Sequence, residues 1–416
     1  MNIWKISIKN LLHKPLYTAL SVLALTISIG LLISIKQLDA TLKQQFENNL
    51  ADIDLVVGAK GSPLQLVLAS VLHIDNPTGN ISYDEAKKIS KNRLVEMAIP
   101  MSYGDNFKGY RIVGSNISFS KFYKAEIEKG HDFKSPMEVV LGSDVANALQ
   151  LKIGDTFLSS HGLAEEGSHE HPENFVVVGI YKQTHKVIDR LIVTPLESIW
   201  DVHNHEENEE HPSEESHHHA EENHHKAHNE ETHNDQEITS LLVKFKNPMG
   251  LLRLPRQINS NTNMQAAIPK YEMERLFGFT GIGVKAISWI AYAILLISSL
   301  IIFINLFKMV KERAFDLALL RTYGASNFQL IKIVAYEGFV ATFAAIFIGL
   351  ILSKVGLFFV FKMLSNQFKQ TIPQSLEFSN VITVLSWVMV MVVLAILLAI
   401  LPILKMNVSK ILSHEK

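Results

Sequence analysis

Between Lys308 and Ser326 the chain reads KMVKERAFDLALLRTYGAS, a charged stretch closed by a glycine and set between two long apolar runs. Residues 286–307 before it carry no charge, and residues 333–361 after it are interrupted only by Glu337 and Lys354. Residues 16–35 and 381–404 are also uncharged. A hydrocarbon core about 30 Å thick is crossed by about 20 apolar helical residues. Four such runs, unbroken by turn signals, argue against a soluble fold and for four membrane spans.

The first run has a basic start (Lys5, Lys9, Lys14), as a signal peptide would. Its apolar part is longer than a signal-peptide core, and no small-x-small cleavage site follows, so an uncleaved span is expected. Lys and Arg mark the inner side of a membrane. They gather at the N-terminus, after the second span (Lys308, Lys311, Arg313, Arg321, Lys332) and at the C-terminus (Lys405, Lys410, Lys416). Both termini and the second loop are therefore expected in the cytoplasm.

The resulting map has a cytoplasmic start and first span at 1–36, an external domain at 37–285 and a second span at 286–307. A cytoplasmic segment at 308–332 precedes the third span at 333–361. A short external loop at 362–380, a fourth span at 381–404 and a cytoplasmic tail at 405–416 complete it.

The net charge of −2 averages opposing local biases and gives no ground for a nucleic-acid partner. The chain has no cysteine, which excludes disulfides, iron–sulfur clusters and thiolate zinc sites. The external domain must therefore cohere through its own core.

Within that domain, residues 41–50 continue the first span as a helix. Strand-like runs occur at 53–57, 110–113, 138–141, 174–180, 189–193 and 240–245, with a helical run at 64–72. Ser82 with Glu85 three residues later reads as a capping box. The mixture points to an α+β domain.

Residues 201–237 differ from everything around them. They are rich in His and Glu, nearly free of apolar side chains, and expected to form a disordered insertion. Neutral imidazoles bind zinc and other divalent transition metals. His203, His205, His211, His217, His218, His219, His224, His225, His228 and His233 offer many overlapping ligand sets. Weak, exchangeable sites are expected, and a solvated polar loop with incidental affinity is the alternative. His161, His169 and His171 form a smaller second group.

On a helix, Phe315, Ala318, Leu319 and Thr322 share one face, and Gly324 stands where a helix stops. Such a helix could press its apolar face into a cleft on a soluble partner, with charges setting the register. The alternative is an interfacial helix that only anchors the loop. Glu337, inside the third span, is expected to pair with a nearby cation or helix end. A phosphate-binding loop is absent: residues 58–62, GAKGS, have the wrong order.

The 308–326 stretch resembles the coupling segment of MacB/FtsX-type permeases of ABC transporters, a family that includes LolC/LolE-like proteins. Arg313, Asp316, Leu317, Leu320, Arg321, Gly324 and Ala325 stand at that pattern's positions, with Asp316 replacing the commoner glutamate. EVVLGSDVA at 138–146, LKIGDT at 151–156 and FVVVGI at 175–180 are similar to the family's external core. The order of motifs and the layout of one span plus three are similar as well.

The resemblance implies a non-enzymatic permease subunit in a bacterial cytoplasmic membrane, with a MacB-like α+β domain between spans one and two. It implies a separate cytoplasmic ABC ATPase; with the helix-face reading, the contact is expected through Glu312, Arg313, Phe315, Asp316, Leu319, Arg321 and Gly324. A second permease copy or a paralogue, membrane lipid, and a periplasmic or lipoprotein partner are further expected contacts. Metal-linked envelope transport, release of a lipoprotein, peptide export, and force transmission to an external enzyme all stay open as functions.

Overall fold

The computed structural model describes residues 15–160, 170–209, 236–371 and 377–404. They divide into two compact units. One comprises residues 1–43, 278–363 and 374–416; the other comprises 44–277 and 364–373.

The first unit is helical. Its elements belong to α1 (Pro15–Leu50), α8 (Pro269–Glu312), α9 (Ala314–Thr322), α10 (Asn327–Phe368) and α11 (Phe378–Leu404). Four of these helices are long and apolar enough to cross a membrane. At 1.5 Å per residue, α8 with its 44 residues runs about 66 Å, well beyond a hydrocarbon core of about 30 Å. Lipid is as apolar as leucine, so burial alone gives no drive for these helices to associate; close packing and polar contacts hold them. Leu25, Ile29, Leu32, Leu295, Ile302, Val388 and Val392 form the packed centre. Ser28 and Ser298 hydroxyls meet at 2.9 Å, and Ser299 Oγ donates to the Met391 carbonyl at 3.0 Å. Outward-facing Leu20, Leu23, Ile27, Trp289, Ile290, Leu397 and Leu398 are exposed, as a lipid-facing surface requires.

The second unit is α+β. A 10-stranded sheet runs β12 (Met264–Ala267), β1 (Leu55–Ala59), β11 (Ser240–Phe245), β3 (Val95–Phe107), β4 (Tyr110–Ser115), β9 (Leu191–Pro195), β6 (Glu138–Leu141), β8 (Glu170–Tyr181), β5 (Ile127–Gly130). Off this path, β7 (Thr156–Ser160) pairs with both β3 and β8. Most neighbours are antiparallel; β4 with β9 and β6 with β8 are parallel.

Both faces of the sheet are covered, which explains strands that read as continuous apolar runs rather than alternating ones. Val56, Val113, Val140 and Val193 point to one core, shared with Phe119, Phe122 and Tyr123. Their neighbours Leu55, Val57, Ile112, Val139 and Ile192 point to cores on the other side. Each fully buried Val, Leu or Ile contributes about 1.5–3 kcal/mol, so this domain needs no disulfide.

Three details differ from the sequence reading. Ser82 makes no side-chain cap bond at the start of α3 (Tyr83–Ser90). It lies instead in β2 (Ile81–Ser82), paired with β10 (Glu237–Ile238) through Glu237. Strand β9 begins at Leu191 because Asp189 belongs to a 3-10 turn, Val187–Arg190. Both ends of the His/Glu-rich insertion are structured: α6 (Leu196–Glu209) enters it, and β10 leaves it.

Candidate functional site

Helix α9 forms around the strong helix formers Ala314, Leu317, Ala318, Leu319, Leu320 and Arg321, and it ends for a reason the backbone makes visible. Gly324 has φ +95°, the left-handed region glycine enters without Cβ strain. Its N–H donates to the Arg321 carbonyl at 3.1 Å, and the Ala325 N–H donates to Leu320 at 3.0 Å. These two bonds make a Schellman stop. The next helix, α10, opens on a reciprocal cap. Gln329 N–H donates to Ser326 Oγ at 3.3 Å, and Ser326 N–H donates to Gln329 Oε1 at 2.9 Å.

Between these stops, α9 presents two faces. Leu317 and Ala318 are buried, and Leu320 packs against the helical core. Phe315, Asp316, Leu319 and Thr322 are exposed. Ala318 therefore does not share the outer apolar surface expected for it; its short side chain lets α9 sit close to the bundle. Phe315 and Leu319, one turn apart, make up the apolar surface that remains.

Arg313 breaks the helix between α8 and α9, with φ −101° and ψ 15°. Its Nη1 lies 4.0 Å from Oε1 of Glu337, which is 2% exposed. The pairing expected for Glu337 is therefore present, and Arg313 is its cation. Glu312 lies 3.9 Å from Lys308 on the surface, a pair worth little by itself.

A second polar cluster lies in the α+β unit. The Asp189 carboxylate accepts hydrogen bonds from the Thr184 N–H, the Thr184 hydroxyl and the His185 N–H. Burial pushes its pKa upward, and the Thr184 bonds oppose that shift. The turn so fixed receives three side chains. Asn49 Oδ1 accepts the Val187 N–H at 2.8 Å, Gln45 Nε2 donates to the His185 carbonyl at 2.8 Å, and Gln370 Nε2 donates to the same carbonyl at 3.4 Å. Alongside, Thr371 donates twice to Asp144 at 2.8 Å, and Lys369 Nζ donates to the Lys108 carbonyl at 2.8 Å. The end of α1 and the segment between α10 and α11 thus converge on one turn.

Of the histidines singled out as ligands, His203 and His205 fall in α6. His211, His217, His218, His219, His224, His225, His228 and His233 lie outside the described residues, as do His161 and His169. Among the described residues, no group of three or more His, Cys, Asp or Glu side chains is arranged to hold a metal ion.

Family models match in the same order as these elements. Residues 18–247 match the MacB-like periplasmic core domain, and residues 288–408 match the FtsX-like permease C-terminal domain. The chain belongs to the MacB/FtsX-type permease family. It is thus a multi-pass membrane protein with the α+β domain between its first and second spans.

Among solved structures, the permease is similar to the periplasmic region of MacB from Actinobacillus actinomycetemcomitans. The identity is 11%, the match covers 55% of this chain and 95% of that one, and the TM-score is 0.34. It is also similar to the extracellular domain of the noncanonic ABC-type transporter YknZ from Gram-positive bacteria. Here the identity is 10%, coverage is 51% and 98%, and the TM-score is 0.31. No curated protein matches.

Sequence reading missed the 184–189 turn and its guests. Gln45 and Asn49, spaced one helical turn apart, were a usable signal. Nothing local marks Lys369, Gln370 or Thr371.

Proposed function

We propose that this permease couples ATP hydrolysis in a separate cytoplasmic ATPase to movement of its own external domain. The observation that carries this reading is the two-faced α9. Leu317 and Ala318 anchor it, Arg313 ties its start to Glu337, and Phe315 with Leu319 is left as an apolar knob beside Asp316. That arrangement suits a helix that receives force from a docked partner and passes it to the spans.

Long helices suit the transmission. Helix α1 is unbroken from Pro15 to Leu50, and α8 from Pro269 to Glu312. Helix α8 carries Gly278, Gly281 and Gly283, where an added Cβ would meet nothing within 4 Å. Each costs a helix about 1 kcal/mol relative to alanine, and no close packing requires them. We read them as a bending point. Gln45, Asn49 and Gln370 would then deliver the motion to the 184–189 turn. Work of this kind needs no substrate path between the spans, and a second permease copy or a paralogue completes the machine.

The supporting experiment is purification of the full chain from native membranes, with identification of its partners by mass spectrometry. An ATPase among them supports the reading. Reporter fusions at Asn208 and Gln370 should report outside and fusions at Asn327 inside, in accord with the distribution of Lys and Arg.

A second reading concerns cargo. The density of imidazoles in 201–237 favours capture of zinc or a similar ion as part of envelope transport. Its test is metal binding by the full chain with and without residues 210–235.

A further inference from the structure

Between Ile238 and Tyr271 the chain carries no Asp or Glu, and helix α7 (Met249–Asn261) lies in the middle of that stretch. Leu254 and Ile258 are buried in the core on one face of the sheet. Met249, Leu252, Arg253 and Arg256, at three- and four-residue spacing, line the outward side and are all exposed. Leu252 is 72% exposed, more than any other large apolar side chain described in the α+β unit. A basic amphipathic helix reads as a docking element.

The helix is firmly placed. An added Cβ on Gly250 would collide with the Phe245 ring, so the start of α7 lies close against β11. At its end, Asn259 Nδ2 donates to the Ala266 carbonyl at 3.1 Å, and Asn259 Oδ1 accepts the Ala266 N–H at 2.6 Å. A face held in this way has little ordering left to lose on binding.

Further cations join it. The Lys246 N–H donates to the Leu94 carbonyl at 3.0 Å, which brings Lys91 and Arg93, just past α3, beside the start of α7. Lys91, Arg93, Lys246, Arg253 and Arg256 are all exposed, and none forms an ion pair among the described residues. The nearby acids are committed elsewhere. Asp84 pairs with Lys87, and with Glu85 it stands in the first turn of α3, at the other end from Lys91. Asp52 and Glu96 pair with Lys244. Lys244 lies two residues from Leu242, which lines the core on the opposite face of the sheet.

We infer that this basic face docks the chain's own residues 210–235, the acidic segment between α6 and β10 that lies outside the described residues. Charge and tethering carry the choice of occupant. The segment has eight carboxylates and one lysine. Both of its ends stand on the same face of the sheet as α7: Leu196 and Trp200 of α6 and Ile238 of β10 share one apolar core with Leu254 and Ile258. Helices on one face pack about 8–10 Å apart, and 26 residues at up to about 3.5 Å each reach α7 with slack. A tethered segment acts at an effective concentration on the order of 1 mM, so a free acidic protein must outcompete it. The contact is electrostatic and does not depend on metal capture by the imidazoles.

The chain has no cysteine, so Leu252→Cys gives a single thiol on this face. Its alkylation by iodoacetamide is followed in the full chain in detergent, with and without residues 210–235. The buffer contains a chelator and stands at about pH 7.5, where free imidazole is mostly neutral. The thiol should react at least five-fold faster after the deletion. Raising NaCl from about 50 to about 500 mM should speed the reaction only in the chain that keeps the segment. A labelled peptide of residues 210–235 should bind the deletion variant, and bind the unaltered chain at least ten-fold more weakly. In the deletion variant, Arg253→Glu with Arg256→Glu should weaken the peptide at least ten-fold. A peptide with its seven glutamates replaced by glutamine should not compete. Equal alkylation with and without the segment would overturn the proposal: slow in both assigns the face to another occupant such as a second copy, and fast in both leaves it open. Peptide binding that is absent, or indifferent to Arg253→Glu with Arg256→Glu, would overturn it as well.

Discussion

Arg313 Nη1 lies 4.0 Å from Glu337 Oε1, so the residue that ends α8 is paired with a buried carboxylate of the third span. Arg313 is partly exposed and Glu337 is buried, so losing the cation removes a favourable contact from a buried carboxylate and is destabilising. Arg313→Ala should therefore lower the thermal midpoint of the full chain in detergent, and adding Glu337→Gln should recover much of the loss. If Arg313→Ala melts with the parent protein, the pair does not hold the start of α9.

The glycines of α8 separate stability from motion. Replacing Gly278, Gly281 and Gly283 by alanine should stabilise the helix by about 1 kcal/mol each. If the segment bends during the cycle, the triple variant should also lose stimulated ATPase activity in the assembled complex. A stabilised variant with full activity would mean that α8 works as a rigid rod.

The pH dependence of stability has a specific origin in the α+β unit. Burial, then Arg190, then Arg111, hold His73 well below the ordinary histidine range. Below about pH 6.5 the unfolded chain takes a proton that the folded ring refuses. Stability should therefore fall as pH falls, with a slope approaching about 1.4 kcal/mol per pH unit for one proton, and should level off above about pH 7.5. His73 has φ +53°, which asparagine tolerates. Denaturant titrations of His73→Asn should show a flatter pH slope; an unchanged slope would mean that the folded ring is protonated.

Much of this was readable along the chain. The four spans follow from long apolar runs with few or no charges, and the Gly324 stop follows from glycine's backbone freedom. Local signals misled where long-range pairing overrode them. Ser82 and Glu85 have capping-box spacing, but Ser82 is drawn into a strand with Glu237. At Ser326 and Gln329 no strand competes, and the reciprocal cap forms. Strand β3 was missed: Pro100, Gly104 and Asp105 are residue types depleted in strands. The basic face around α7 was illegible because Lys91 and Arg93 lie far along the chain from Lys246, Arg253 and Arg256, and only the pairing of β3 with β11 joins them.

The His/Glu-rich insertion should bind several zinc ions weakly near neutral pH and release them below about pH 6, because protonated imidazole cannot ligate. Both of its ends are tied into structure at α6 and β10, so a deletion should span 210–235 and spare Glu237. That deletion should leave the thermal midpoint unchanged while removing the zinc isotherm. No zinc binding by the intact chain would end the metal reading.

The central claim is that α9 is where the permease meets its ATPase, and Leu319→Asp tests it most directly. Leu319 is exposed on a helix whose opposite face is buried, so the substitution should spare membrane insertion and folding. The measurement is stoichiometric co-purification of the ATPase with the full chain from native membranes, quantified by mass spectrometry. The account predicts that the unaltered chain brings the ATPase with it and that Leu319→Asp, inserted at equal level, does not. An equal yield of ATPase with both proteins would contradict it.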